Sequence, residues 1–184
     1  MAEVEVDMRL GTVKVLSIVA AHDVGRAVNP TLTEGQIHGG IAQGLGMALM
    51  EEYLPGRTEN LHDYLIPTVG DMPAVKIHLI EDAEPTGPYG AKGVGEPALI
   101  ATPPAILGAI RHATGVTVRR LPVLPHRLWA ALNRVVNGAR EGMANGVRPL
   151  APAAAKNLNV GGEGSDPAST VGEGAAPVSG EGAS

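Results

Sequence analysis

Residues 87–97 read Gly-Pro-Tyr-Gly-Ala-Lys-Gly-Val-Gly-Glu-Pro, so that four glycines and two prolines surround a single carboxylate, Glu96. Glycine loses the most backbone entropy when it is ordered, and it is favoured where a chain turns sharply or where a ligand approaches the backbone. Because Pro97 disfavours helical geometry in the residue before it, Glu96 is expected to be extended. The stretch therefore predicts an ordered loop that presents one carboxylate at a fixed point.

Apolar periodicity on both sides of this loop predicts a mixture of strands and helices. Alternation of apolar and polar residues indicates a strand, and recurrence every three or four residues indicates a helix. The predicted strands are 4–10, 13–20, 74–80 and 116–120, and the predicted helices are 30–52, 103–115 and a last one from Pro125. The second of these strands is the most continuously apolar and is expected to be central. The predicted fold class is α+β, with a folded domain over residues 1–140.

The predicted helix from residue 30 is rich in glycine. It begins either at Asn29, with Pro30 in the first turn, or at Thr31, with a capping box to Glu34. Each of its five glycines costs about 1 kcal/mol relative to alanine. Tight packing on a sheet is the simpler compensation, and close approach of a ligand is the alternative. One face carries two amides beside bare backbone: Gln36, Gly40, Gln43 and Gly44.

The composition changes beyond residue 140. Residues 151–184 contain seven glycines, no aromatic residue and only scattered apolar side chains. Such a segment cannot bury enough apolar surface to offset the entropy of ordering its backbone. Residues 141–184 are therefore expected to form a disordered tail rich in Gly, Ala, Pro and Ser.

Composition also excludes several classes of function. A net charge of −5 gives no basic surface for nucleic acid, and a chain without cysteine cannot ligate an iron–sulfur cluster through thiolates. The histidines lack the spacing of a protein-held zinc site, so no residue is assigned as a metal ligand. No apolar run reaches the roughly 18 residues of a membrane span, and the acidic start is unlike a signal peptide. A cytoplasmic protein is expected.

The glycine loop does not match the common phosphate-binding motifs. Lys92 is followed by Gly93 rather than by Ser or Thr, and the glycine spacing differs from that of the dinucleotide fingerprint. Its backbone amides could still surround an anion. A small-molecule or anion-binding module therefore stays open as a function of this loop.

An ordered series of short motifs runs along the chain up to Pro97. It consists of Asp-Val-Gly at 23–25, Asn-Pro at 29–30, Gly-Gln-Ile-His-Gly-Gly at 35–40, Gln-Gly-Leu-Gly at 43–46, Glu-Glu at 51–52, Tyr-Leu-Ile-Pro at 64–67 and Gly-Ala-Lys-Gly-Val-Gly-Glu-Pro at 90–97. In this order the motifs resemble the C-terminal part of the molybdenum-binding large subunit of the xanthine dehydrogenase and aldehyde oxidase family. The resemblance covers residues 2–135.

The resemblance implies a role for the opening loop. In that family the glutamate of the Gly-Glu-Pro motif lies beside the molybdenum of a molybdopterin cofactor and acts as general base, which corresponds to Glu96. The family's cofactor-contacting glutamine corresponds to Gln36, with Gln43 as a weaker candidate. Gly93, Val94 and Gly95 would let the loop approach the cofactor. Cofactor sulfurs hold the metal, so metal ligands from this chain are not required.

The resemblance also implies a larger assembly. The family's subunit is several times longer, so the remaining molybdopterin-binding part is expected from an upstream segment or subunit. An iron–sulfur subunit, with or without a FAD subunit, is expected to remove electrons, and the cofactor is molybdopterin or its cytosine dinucleotide form. The implied reaction hydroxylates a heteroaromatic or aldehyde substrate with oxygen from water. A non-catalytic truncated fragment is the alternative that keeps the motifs without the activity.

Overall fold

The computed structural model describes residues 1–144, which form mixed strands and helices and confirm the α+β class. Two short 3-10 turns, Val69–Asp71 and Pro88–Gly90, lie between the longer elements. The strands are β1 (Ala2–Asp7), β2 (Thr12–Asp23) and β3 (Ala74–Ile80), and the helices are α1 (Pro30–Leu49), α2 (Pro97–Thr114) and α3 (Pro125–Ala144).

The three strands form one sheet in the order β1-β2-β3. β1 pairs antiparallel with β2 as a hairpin, and β2 pairs parallel with β3 from Ser17 opposite Ala74 to Asp23 opposite Ile80. Parallel neighbours need a crossover connection, and α1 lies in the connection between β2 and β3. The predicted central position of the second strand is confirmed, and β3 has the bounds that its alternating residues predicted.

An aliphatic core lies between the sheet and the helices. Its most buried members are Ile37 and Ile41 from α1, Ile106 and Ile110 from α2, and Leu128 from α3, each at most 1% exposed. Burying such a side chain contributes about 1.5–3 kcal/mol relative to leaving it in water. The core therefore holds α1 and α2 on the sheet without any phenylalanine in the chain.

The hairpin differs from its prediction, because β1 ends at Asp7 rather than at residue 10. The Asp7 carboxylate accepts the backbone N–H groups of Arg9 at 2.7 Å and Leu10 at 2.9 Å, which closes a local turn in place of strand pairing. β2 is longer than predicted and continues to Asp23, because β3 pairs with it from Ser17 to Asp23.

Helix α1 begins as the Asn29 alternative predicted, with the Asn29 side chain accepting the N–H of Leu32 at 3.1 Å. The predicted end at residue 52 is wrong. The carbonyl oxygen of Gly46 accepts from both Met50 and Glu51, at 2.9 and 2.8 Å, and the helix ends at Leu49.

Helix α2 begins earlier than residue 103. Pro97 is its first residue, and Glu96 is its N-cap with φ −90° and ψ −32°, so the predicted extended backbone at Glu96 is wrong. The reason is that the Glu96 carbonyl accepts the N–H of Ile100 at 3.0 Å, which fixes it as the start of the helix. Thr102, predicted as a cap, is buried within α2 and donates to the Ala98 carbonyl at 2.7 Å. The predicted stop at Gly115 is confirmed by its left-handed φ of 74°.

The segment after α2 is not the strand predicted for residues 116–120. The Thr114 hydroxyl accepts the N–H of Val116 at 3.1 Å, and the Val116 side chain enters the core from a coil. α3 begins at Pro125 as predicted and continues to Ala144. The rest of the predicted tail, 145–184, lies outside the described residues, and the domain boundary stays a prediction. Among residues 1–144, the helices are too short or too polar to cross a lipid bilayer.

Candidate functional site

Helices α1 and α2 pack against each other through two glycines. A Cβ atom built on Gly40 would lie 2.8 Å from the Ala98 Cβ, and one built on Gly44 would lie 2.6 Å from the Thr102 Cβ. Ordinary carbon contacts are about 3.5–4.0 Å, so a side chain at either position would push the helices apart. The glycines therefore serve close packing, as the simpler interpretation held, but the partner is another helix rather than the sheet.

The order of these contacts along the two helices shows that α1 and α2 run in the same direction. Four residues along α1, from Gly40 to Gly44, correspond to four residues along α2, from Ala98 to Thr102, so the two helices are parallel. One turn before Gly40 on α1 is Gln36, and the same step before Ala98 reaches Val94 in the glycine loop. Gln36 therefore lies one turn before the first contact with α2, and the loop residues Gly93, Val94, Gly95 and Glu96 directly precede the start of α2 at Pro97. Their roles toward a cofactor stay predictions.

Glu96 lies at the N-terminus of α2, and its side chain makes no capping hydrogen bond. A helix N-terminus carries partial positive charge, which stabilises a carboxylate placed there. Glu96 and Gln36 are both exposed. Val94 is half-buried against the core, whereas a Cβ on Gly93 or Gly95 would meet no atom within 4 Å. The loop is therefore held at Val94 and open on either side of it.

The start of the loop is joined to the segment that follows β2. Lys92 N–H donates to the Val24 carbonyl at 3.0 Å, and Arg26 N–H donates to the Gly90 carbonyl at 2.8 Å. Gly25 and Ala91 form an antiparallel bridge between these bonds. Gly25 has φ +61°, and a Cβ there would overlap the Gly90 carbonyl oxygen, so glycine is required at this crossing.

An ion pair reinforces the same crossing. Lys92 Nζ lies 2.5 Å from Asp23 Oδ2 and 3.6 Å from Asp82 Oδ2. The hydrogen bond from Lys92 holds the pKa of Asp23 below its ordinary value, aided by the N–H of Gly25, and the same bond raises the pKa of Lys92. The sequence patterns gave Asp23 only as part of the Asp-Val-Gly motif and missed this pair, because no local pattern joins residues 69 positions apart.

Other polar residues of α1 stay apart from these contacts. His38 and Gln43 are exposed on the helix. Past its C-terminus, Tyr64 donates to Glu51 Oε2 at 2.7 Å, and this bond raises the pKa of Tyr64. That contact joins the Tyr-Leu-Ile-Pro motif at 64–67 to the end of α1, so it has a structural role away from Glu96.

No group of three His, Cys, Asp or Glu side chains within residues 1–144 is placed to hold a metal ion. A cavity of about 660 Å³ lies between β1 and α2, and another of about 410 Å³ lies between β2 and the end of α1. Neither cavity is lined by Glu96 or Gln36, so the candidate site is an exposed end of two helices rather than an enclosed pocket.

Comparison with known proteins defines the class. Residues 1–73 match the family model described as a molybdopterin cofactor-binding domain. The chain is 41% identical over 133 residues to a putative xanthine dehydrogenase molybdenum-binding subunit of Escherichia coli K12, which covers 69% of this chain and 18% of the relative. It is 40% identical over 138 residues to the 6-hydroxypseudooxynicotine dehydrogenase complex subunit gamma of Paenarthrobacter nicotinovorans, covering 71% of this chain and 17% of the relative.

The fold agrees with these matches. The structure of aldehyde oxidoreductase from Desulfovibrio gigas superposes with a TM-score of 0.69 at 38% identity, covering 72% of this chain and 15% of that one. Over the matched segment the chain belongs to the xanthine dehydrogenase and aldehyde oxidoreductase family of molybdenum-binding subunits, as its motifs predicted. It spans less than a fifth of the length of these relatives, at 18%, 17% and 15%.

The residues at the α1–α2 end fit the cofactor that the family model names. A Cβ on Gly35, Gly39, Gly93 or Gly95 would meet nothing within 4 Å, so the backbone there is accessible to a bulky group. The exposed Gln36 amide can donate and accept, which suits a pterin or a phosphate as partner.

Proposed function

We propose that this chain supplies the general base, Glu96, of a molybdenum hydroxylase that hydroxylates a heteroaromatic or aldehyde substrate with oxygen derived from water. The observation that supports the proposal is the packing of Gly40 on Ala98, because it joins α1 four residues after Gln36 to α2 two residues after Glu96. The names of the relatives support it, since they include a xanthine dehydrogenase subunit and an aldehyde oxidoreductase.

Each residue has a defined task in this proposal. The molybdopterin cofactor, or its cytosine dinucleotide form, would supply the redox chemistry when bound. Glu96 would accept the proton released as the water-derived oxygen attacks, which requires a carboxylate oxygen within hydrogen-bond reach of that proton. Gln36 would fix the cofactor through its amide. Gly93 and Gly95 would let the loop approach the cofactor without a side chain in the way, and Val94 between them would hold the loop through its contact with the core.

The proposal includes partner chains, in a cytoplasmic complex. An upstream molybdopterin-binding segment or subunit would complete the site, because Glu96 and Gln36 are exposed among the described residues. An iron–sulfur subunit, and in some arrangements a FAD subunit, would carry electrons away. Residues 1–184 contain no cysteine, so thiolate-ligated clusters would have to be held by residues outside this sequence. The relative named as subunit gamma of a dehydrogenase complex supports an assembly of this kind.

The test is coexpression of the full chain with the products of adjacent genes, followed by measurement of bound molybdenum and of substrate-dependent dye reduction. Glu96→Gln is expected to lower kcat by about 10²–10⁴-fold at unchanged molybdenum content, because a positioned general base contributes a factor of that size. Glu59→Gln is the matched control, since Glu59 is an exposed loop carboxylate.

Two outcomes would contradict the proposal. Wild-type turnover in a molybdenum-loaded Glu96→Gln complex would remove the base from the mechanism. Failure of the chain to copurify with any molybdopterin-bearing partner would favour the non-catalytic fragment. Binding of a free anion that depends on the glycine loop in the isolated chain would instead favour the anion-binding module.

A further inference from the structure

The segment that carries Glu96 is fixed at two separated points. On one side Lys92 is joined to the end of β2 through Val24, and on the other Ala98 packs on Gly40 of α1. Only five residues, 93–97, lie between these points, and two of them are glycines. The place of Glu96 therefore depends on both anchors, since glycine itself imposes little restriction on the backbone.

The two anchors are built differently. The Ala98 anchor is a buried apolar contact between helices, and Ala98 is 1% exposed. The Lys92 anchor consists of two backbone hydrogen bonds, one to the buried Val24 and one from Arg26 to Gly90, together with the partly exposed Lys92–Asp23 ion pair. Asp23 binds both of the segments that meet at the crossing. One of its carboxylate oxygens accepts from Lys92 Nζ, and the other accepts the Gly25 N–H at 3.0 Å.

Lys92 is also surrounded by negative charge. Asp23 and Asp82 are both within ion-pair distance of its ammonium group. The pKa of Glu84 is lowered mainly by its hydrogen bonds from Thr86, and the charge of Lys92 lowers it further. The loop is bonded back to the same acidic turn, since Glu84 N–H donates to the Gly90 carbonyl at 3.0 Å. Without the Lys92 charge, these carboxylates would repel one another across the crossing.

We propose that Asp23 and Lys92 are positioning residues for Glu96, holding the glycine loop on the end of β2 so that the carboxylate is presented at one place. This inference rests on the proposed function for the role of Glu96. Whether the ion pair orders the loop can be tested independently of the proposed function. Neither residue touches the reacting groups in this proposal; both act through the loop.

The variants separate the ion pair from its neighbours. Asp23→Asn removes the charge but keeps an oxygen that can accept the Gly25 N–H, and Lys92→Met keeps most of the side-chain stem without the ammonium group. Lys92→Arg keeps the charge and is the rescue variant. Lys76→Met is the matched control, because Lys76 is exposed on β3 and has no ion pair among the described residues.

The first readout is amide hydrogen exchange by NMR on the full 184-residue chain. The Arg26 and Lys92 amides, which donate across the crossing, are expected to exchange on the order of tenfold faster in Asp23→Asn and Lys92→Met. The Val123 amide, which donates to Ala48 at 2.7 Å elsewhere in the fold, is expected to keep its rate. Unchanged Arg26 and Lys92 rates in both variants would overturn the proposal.

The second readout is turnover in the molybdenum-loaded complex. A positioning role predicts that kcat falls about 10–100-fold with little change in KM or molybdenum content, and that Lys92→Arg restores most of it. Faster exchange with wild-type kcat would overturn the positioning role. The Glu96→Gln complex, assayed in parallel, reports on the base itself: if it turns over normally, the proposed function fails, while the exchange rates still decide whether the pair orders the loop.

Discussion

The packing of α1 on α2 predicts that alanine will change the free energy of unfolding in opposite directions at two glycines of α1, Gly39 and Gly44. In an exposed helix interior, glycine to alanine stabilises by up to about 1 kcal/mol, because alanine has less backbone entropy to lose. Gly39 is exposed, and a Cβ built there would meet nothing within 4 Å. Gly39→Ala is therefore expected to stabilise the chain by about 0.5–1 kcal/mol.

Gly44→Ala has the same favourable effect on helix propensity, but the clash that it creates with α2 is expected to cost more than this effect contributes. The new Cβ would lie 2.6 Å from Thr102 Cβ, 2.9 Å from Thr102 Cγ2 and 3.1 Å from the Leu99 carbonyl oxygen. Relief requires α2 to move by about 1 Å, and overpacking of this kind costs about 1–3 kcal/mol. The steric term exceeds the propensity term, so Gly44→Ala is expected to destabilise by about 1–2 kcal/mol net.

Urea unfolding of the full chain, followed by circular dichroism at 222 nm, tests both signs at once. With an m value of about 1–3 kcal/mol per M, the two midpoints should differ by on the order of 1 M, with the wild type between them. Equal midpoints for Gly39→Ala and Gly44→Ala would refute the inference that these helices pack through bare backbone. If Gly44→Ala were more stable than the wild type, the inference would be refuted more strongly, because helix propensity alone would then account for its stability.

Two further predictions concern the segments that flank this helix pair. Thr114→Val removes the hydroxyl that accepts from Val116 N–H and donates to the Ile110 carbonyl; it should destabilise by about 1–3 kcal/mol in the same urea assay, whereas Thr114→Ser should lose less because it keeps the hydroxyl. The hydrogen bond from Arg127 lowers the pKa of Glu52, so this pair stabilises the fold above the ordinary Glu pKa of about 4.3 and the contribution is lost as the pH falls through the lowered value. Urea midpoints should show that Arg127→Met is more destabilising at pH 7 than at pH 3, where only the pH-independent hydrogen bond from Arg127 to the Pro122 carbonyl is still lost, and an equal loss at both pH values would contradict the pairing.

Local patterns predicted the elements whose boundaries are set by local chemistry. β3 was predicted to the residue because its apolar and polar residues alternate without interruption. The start of α1 was predicted because the Asn29 side chain caps its own helix, and the end of α2 because Gly115 adopts a left-handed φ. In each case the interaction that fixes the boundary lies within a few residues of it.

Boundaries that depend on distant contacts were mispredicted. The preference of a residue before proline suggested that Glu96 was extended, but the bond from Ile100 and the contact of Ala98 with Gly40 make it the first turn of α2. Residues 116–120 alternate like a strand, yet the sheet offers them no partner among the described strands. Sequence order also could not show that the loop is fixed by Asp23.

Six of the nine glycines of the motif series fall into two groups with different causes. Gly40 and Gly44 are explained within residues 1–144, because α2 occupies the space that their side chains would need. Four others are not explained in this way: Gly35, Gly39, Gly93 and Gly95, around which that space is empty. Gly35 and Gly39 lie inside α1, where each costs about 1 kcal/mol relative to alanine without any compensating contact in the described part of the chain. Gly35 and Gly39 lie within three residues of Gln36, and Gly93 and Gly95 directly precede Glu96 in the loop. Under the proposed function, close approach of the cofactor to this bare backbone would compensate the stability cost.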